Sequence, residues 1–185
     1  MKRLILLLIL TLLILLPISA AGQDHHSYFL VKPGVYYFAG DLEAEHPRVG
    51  FLGEIGYGYR LHRNFAIQSE IGYLHSGVSG GNDIHGVPIS LSAKGVYPIK
   101  DFEFFIGAGL GIYLAQYKGE LNHVPVDDRD NVWGGHLFTG ADYNIASNIF
   151  IGIEGKYIFT EKAEYNGQKV NLDGIATLIR LGFRF

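Results

Sequence analysis

The sequence has no cysteine, six prolines, one tryptophan (Trp133) and one methionine (Met1) in 185 residues. Without cysteine there is no disulfide framework, no thiolate metal site and no lipid-modified cysteine. Lysine and arginine (15) are outnumbered by aspartate and glutamate (18), so there is no basic footprint for nucleic acid. No stretch beyond residue 21 carries a helical apolar stripe of useful length, and the overall hydrophobicity excludes a disordered chain. What is present in excess is glycine and aromatics. The first 21 residues hold neither, and the rest hold 25 glycines, 12 tyrosines and 12 phenylalanines. Glycine and aromatics in place of leucine and alanine indicate a β protein with an unusual interior.

The leading segment reads as an address. Lys2-Arg3 is a short positive region, Leu4 to Leu16 is apolar except for Thr11, Pro17 breaks the run, and Ser19-Ala20-Ala21 are small. This is the three-part pattern of a secretory signal. The run is shorter than the roughly 20 residues of a spanning helix. Residues 1–21 are therefore expected to be a cleavable signal peptide, and 22–185 one exported domain.

Period two, the strand signature, recurs through that domain. Ile175, Thr177, Ile179, Leu181, Phe183 and Phe185 share one face of the last segment, and Gly174, Ala176, Arg180, Gly182 and Arg184 the other. Eight such segments are expected, near 28–38, 49–60, 65–75, 86–97, 102–117, 132–144, 149–160 and 174–185. Three connections are tight turns: Leu61–Asn64, Pro98–Asp101 and Ile145–Asn148. Four others, near 39–48, 76–85, 118–131 and 160–173, read as longer polar loops with Asp41, Glu43, Glu45, Asp83, Asp127, Asp128, Asp130, Glu161 and Glu164. Asn166-Gly167 is a strong type I′ hairpin signal.

The polar face carries charge at mid-strand and is rich in glycine, which suits a narrow interior that side chains must fill. The apolar face ends in aromatics. Tyr57, Tyr59, Phe65, Tyr97, Phe102, Tyr143, Phe183 and Phe185 lie toward the short turns; Tyr37, Phe51, Tyr73, Tyr113, Trp133, Tyr157 and Phe159 lie toward the long loops. Two aromatic girdles imply two membrane interfaces. The expected fold is all-β: a closed eight-stranded antiparallel up-and-down transmembrane β-barrel, since an open edge in hydrocarbon leaves backbone groups unsatisfied.

The candidate site is then the lumen. Lys32, Arg60, Lys94, Lys156, Arg180 and Arg184 face Glu54, Glu70, Glu103, Asp142 and Glu154, a near balance that suits a plug of mutual ion pairs. Glu154, Lys156 and Arg180 fall on neighbouring strands in inward phase and are expected to share one network. Other motifs read blandly. Gly107-Ala108-Gly109-Leu110-Gly111 lacks the helix and Lys-Ser/Thr pair of a phosphate loop. His46, His75, His85 and His123 read as solvated loop histidines, and Asp127-Asp128-Arg129-Asp130 lacks calcium-loop spacing. His75-Ser76 are sequence neighbours and point to opposite faces, so they make no nucleophile–base pair. No catalytic residue, metal site or cofactor is expected.

The alternating final strand, with stretches such as Ala93-Lys94-Gly95-Val96-Tyr97-Pro98 and Gly107-Ala108-Gly109-Leu110-Gly111-Ile112, resembles the eight-stranded outer-membrane barrel superfamily. That group includes the OmpA transmembrane domain, OmpX, OmpW and opacity-like proteins of Gram-negative bacteria. The resemblance covers nearly all of 22–185 and implies an outer-membrane location with long loops extracellular and short turns periplasmic. It implies that terminal Phe183 and Phe185 form the signal read by the barrel-assembly machinery, with periplasmic chaperones as further partners in biogenesis. Outer-membrane lipid and lipopolysaccharide are the expected surroundings, and the protein is expected to be a monomer. The expected role is non-enzymatic: membrane integrity or surface interaction through the extracellular loops, with the lumen plugged. A narrow OmpW-like transporter for small solutes is the alternative, and a lipid A-modifying enzyme a weaker one. The His-x-Ser arrangement of lipid A deacylase barrels is absent.

Overall fold

The computed structural model describes residues 26–39, 49–78, 82–121, 124–161, 163–165, 168–170 and 172–185. The expected signal segment (residues 1–21), Asp41, Glu43, Glu45, His46, His123 and the expected turn at Asn166-Gly167 lie outside the described residues. So do the side chains of Ser76, Asp83, Asp127, Asp128 and Glu164.

The strands are β1 (Ser27–Phe38), β2 (Val49–His62), β3 (Phe65–Val78), β4 (Asn82–Ile99), β5 (Phe102–Leu121), β6 (Val124–Asn144) and β7 (Ile149–Thr160). After them come β8 (Ala163–Tyr165), β9 (Gln168–Val170) and β10 (Gly174–Arg184). Eight of them close a barrel in the order β1-β10-β7-β6-β5-β4-β3-β2, every pair antiparallel. β8 and β9 form a separate two-stranded ribbon, with Tyr165 opposite Gln168. The seam shuts with Phe185 N donating to Ser27 O at 2.9 Å and Ser27 N to Phe185 O at 3.2 Å.

The residues dictate this wall by alternation. In β10, burial switches at every residue: Ala176, Leu178, Arg180 and Gly182 point in, while Ile175, Thr177, Ile179 and Leu181 point out. The polarity is the reverse of a soluble core. Leu110 is 70% exposed while Arg180 is 0% exposed. An apolar exterior of this extent is stable only against lipid, and closure leaves no open edge there.

Three turns are short. Arg63–Asn64 joins β2 to β3 beside a register shift at Arg60/His62, and Lys100–Asp101 joins β4 to β5, with Lys100 left-handed at φ 54°. Ile145–Asn148 joins β6 to β7, with Ile145 N and Ala146 N both donating to Ile149 O at 3.0 and 3.2 Å.

Two expectations need correction. Residues 76–85 and 118–131 are mostly strand rather than loop. β3 and β4 stay paired to Val78↔Asn82, and β5 and β6 to Leu121↔Val124. Outside lipid a hairpin keeps its ladder while both faces may be polar, so the period-two signal fades without the structure ending. β5 and β6 reach 20 and 21 residues, against about 9–11 for one crossing of the bilayer. β6 meets β7 only from Gly134↔Thr160 onward, so the β5–β6 hairpin rises above its neighbour. Tyr113 was expected in the long-loop girdle but is buried in the lumen. It continues the inward phase of Gly107, Gly109 and Gly111, and strand parity outranks residue type. The other girdle rings, among them Tyr73, Trp133, Tyr157, Tyr97, Phe102 and Phe183, are exposed on the outer face, except Tyr57 and Tyr59, which are half-buried.

Candidate functional site

All eleven lumen charges come from inward positions spread over the eight barrel strands, and ten of them meet an opposite charge. The centre is a belt. Lys32 Nζ lies 2.7 Å from Glu54 Oε2 and 2.8 Å from Glu154 Oε1, and it also pairs with Glu70. Lys156 Nζ lies 2.7 Å from Glu54 Oε2 and 3.0 Å from Glu70 Oε2, with Glu154 Oε1 at 3.6 Å. Arg180 Nε donates to Asp142 Oδ1 at 2.7 Å, and its Nη1 pairs with Glu154. Glu154, Lys156 and Arg180 thus stand in one connected cluster. Nearer the short turns Glu103 is shared by Arg60 Nη2 at 2.6 Å and Arg184 Nη2 at 3.1 Å, and Arg184 Nη1 donates to Asn144 Oδ1 at 2.6 Å.

Glu54, Glu70 and Glu154 hold carboxylate oxygens within 4.8 Å of one another, close enough for a metal ion. The ammonium groups of Lys32 and Lys156 already sit among them, so the trio has its countercharge. Lys94 is the exception. No carboxylate lies within 4.0 Å of it among the described residues; its ammonium faces the Tyr28 and Phe105 rings, 4.8 and 5.0 Å from their centroids. Arg180 and Arg184 also lie against rings, those of Phe105 and Phe150. In a dry interior such cation–π contacts are stronger than at a surface.

Apolar layers close the lumen on both sides of the belt. Toward the long loops Tyr36, Phe38, Leu52, Leu74, Tyr113 and Leu178 pack together, and Tyr36 Oη donates to Leu172 O at 2.6 Å. Toward the short turns stand Tyr28, Leu30 and Phe150, with Val96, Phe105 and Phe138 beside them.

The glycines make room for these large groups. Across the ladder, glycine repeatedly stands opposite a bulky inward residue: Gly58↔Tyr28, Gly72↔Glu54, Gly107↔Phe138, Gly109↔His136, Gly140↔Phe105 and Gly182↔Phe150. A Cβ on Gly72 would lie 2.9 Å from Glu54 Cγ, and one on Gly109 would run into the His136 ring. Their role here is volume.

His136 was missed by sequence reasoning. It is buried on β6, its Nε2 lies 2.8 Å from Ser92 Oγ, and its Nδ1 has no partner in the described structure. Its inward phase between Gly134 and Phe138, opposite Gly109, was the signal available. A serine–histidine contact alone is not a triad: among the described residues no carboxylate orients the ring, and both residues are sealed in the lumen. Gln68 was missed likewise; it accepts from Tyr28 Oη at 3.0 Å and donates to Glu70 Oε1 at 2.6 Å. His75 and His85, which flank the expected 76–85 loop, are register partners on the outward face of β3 and β4.

An eight-stranded closed barrel, apolar outside and ion-paired within, is the architecture of an outer-membrane β-barrel. The chain belongs to the outer membrane protein beta-barrel domain family, which matches residues 8–185. No curated protein matches it. Among solved structures it is similar to Neisserial surface protein A (TM-score 0.70, 18% identity, 86% of this chain and 97% of that one). It is also similar to OprG of Pseudomonas aeruginosa (TM-score 0.62, 12% identity, 89% and 98%) and to the N-terminal barrel of OprF from the same organism (0.56, 18%, 88% and 100%). At these identities the likeness is one of fold.

Proposed function

We propose that this protein is a non-enzymatic, non-conducting barrel of the outer membrane that supports the membrane and meets its surroundings through its long-loop end. The observation that carries this reading is the lumen: a belt of ion pairs between two apolar layers, with Arg180, Lys32 and Glu154 each 0% exposed. A conducting path needs continuous water or sites that release an ion. An eight-stranded barrel is only wide enough for side chains to fill, and here they fill it. The long-loop end faces the cell exterior in this reading, where the tall β5–β6 hairpin would stand above the lipid. Outer-membrane lipid and lipopolysaccharide would surround the girdles, and the assembly machinery would read Phe183 and Phe185 at the end of β10.

The test is conductance. Purified protein in planar bilayers should give no unitary current steps. Reproducible steps whose ion selectivity changes in Glu154→Gln would replace the plug with the narrow-transporter reading. Unchanged lipid A masses in cells that overproduce the protein are expected if it is not a lipid-modifying enzyme.

A further inference from the structure

The outward face is apolar or aromatic along most of its area, but on β3 and β4 it carries a cluster of three polar donors. His75 and His85 stand opposite each other in the ladder, their ring centroids 4.7 Å apart and their Nδ1 atoms 3.2 Å apart. Tyr73, two residues before His75 on the same face, places its hydroxyl 2.8 Å from His85 Nδ1. All three lie near the long-loop end, level with the girdle and accessible from outside the barrel.

Hydrogen bonding serves this arrangement poorly. A neutral imidazole nitrogen offers one proton or one lone pair, never both. His85 Nδ1 faces a phenol and a second imidazole at once, so a single proton or lone pair is divided between two partners. A cation removes the conflict, because all three atoms can then direct lone pairs at one point. The spacing fits. Two zinc–imidazole bonds of about 2.0–2.1 Å at a tetrahedral angle set their nitrogens roughly 3.3 Å apart. The rings are stacked, 21° from parallel, so their in-plane lone pairs run nearly side by side; a turn about χ2, a broad torsion, is needed to bring both onto one ion. Imidazole suits zinc, copper and nickel, whereas magnesium and calcium prefer oxygen.

We propose that Tyr73, His75 and His85 form a binding site for a divalent transition-metal cation, Zn2+ or Cu2+, on the outer face of the barrel. Two imidazoles and a phenol leave at least one coordination position open to water or to an oxygen donor from outside. The site is independent of the lumen and of whether the barrel conducts.

Untagged protein refolded in detergent and titrated with Zn2+ by calorimetry tests this. One equivalent should bind, and His75→Ala or His85→Ala should weaken it by about 100-fold or more, beyond the 10–100-fold typical of a lost supporting partner. Tyr73→Phe should weaken it less, and His62→Ala, at the short-turn end of β2, should leave it unchanged. Cu2+ bound to the parent protein supplies a reading that needs no variant: its electron paramagnetic resonance spectrum should show coupling to two imidazole nitrogens. Equal Zn2+ affinity in the parent and the His75→Ala/His85→Ala double variant would overturn the proposal. So would a copper spectrum with oxygen ligands alone.

Discussion

Lys32 on β1 and Glu154 on β7 meet at 2.8 Å although β10 stands between their strands in the barrel wall. The bond runs through the lumen rather than along the sheet, tying together residues 122 positions apart in the chain. It is one of several such ties, and they give the interior its energetics.

Removing one partner should leave a buried charge without compensation. Glu154→Gln or Arg180→Met alone should each destabilise the barrel by about 3–5 kcal/mol, as broken buried pairs do. The double variant should recover part of the loss, because both halves of one interaction are gone. Reversible urea unfolding in detergent or bilayers reads this. Strictly additive losses would mean that the two side chains do not share a network.

The facing of the wall can be probed by depth. Leu110→Arg and Ile151→Arg place a cation on the lipid face, which should cost roughly 2–4 kcal/mol near the bilayer midplane. The same refolding assay measures it. A neutral outcome at both positions would reverse the assignment of inside and outside.

Glycines on the two faces should respond in opposite directions. A Cβ at Gly152 would strike the Asp142 carboxylate and the Ala141 carbonyl, with Asp142 Cα at 2.9 Å, whereas one at Gly155 meets nothing within 4 Å. Gly152→Ala is expected to lose about 1–3 kcal/mol through overpacking. Gly155→Ala is expected to be neutral or to gain about 0.4–1 kcal/mol from a less flexible unfolded chain. Equal losses at the two sites would show that volume is not what selects glycine here.

A closed barrel of this kind should also resist detergent. Unboiled protein should run compactly on an SDS gel and shift on boiling; identical mobility in both samples would contradict closure.

Alternation made the wall legible in the sequence, because lipid on one side and packed side chains on the other impose different chemistry on successive residues. Arg180 between Ile179 and Leu181 could only point inward. The reach of β5 and β6 was not legible, since beyond the membrane both faces can be polar and the pattern dissolves. Tyr113 was misplaced by its residue type, although its phase with Gly111 placed it correctly. His136 has no residue-type signal for the lumen; only its phase with Gly134 and Phe138 places it there. The charged residues of the lumen could be gathered from phase alone, but not their pairing. That Lys156 reaches Glu70 across the interior depends on side-chain length and barrel diameter, which no local pattern carries.

The pairing has a consequence for assembly. Glu70 on β3 has its countercharges on β1 and β7, Glu103 on β5 has its own on β2 and β10, and Asp142 on β6 depends on β10. No isolated hairpin containing these strands can neutralise them, and an unpaired carboxylate in hydrocarbon costs several kcal/mol. Insertion hairpin by hairpin is thereby penalised for the strands that carry Glu70, Glu103 and Asp142 until the strands that hold their countercharges are in place. The lumen has to stay wet until the ring closes and dry only afterwards. Pulsed hydrogen exchange during refolding should therefore find lumen-facing strands gaining protection together with the seam amides of Ser27 and Phe185, and not ahead of them.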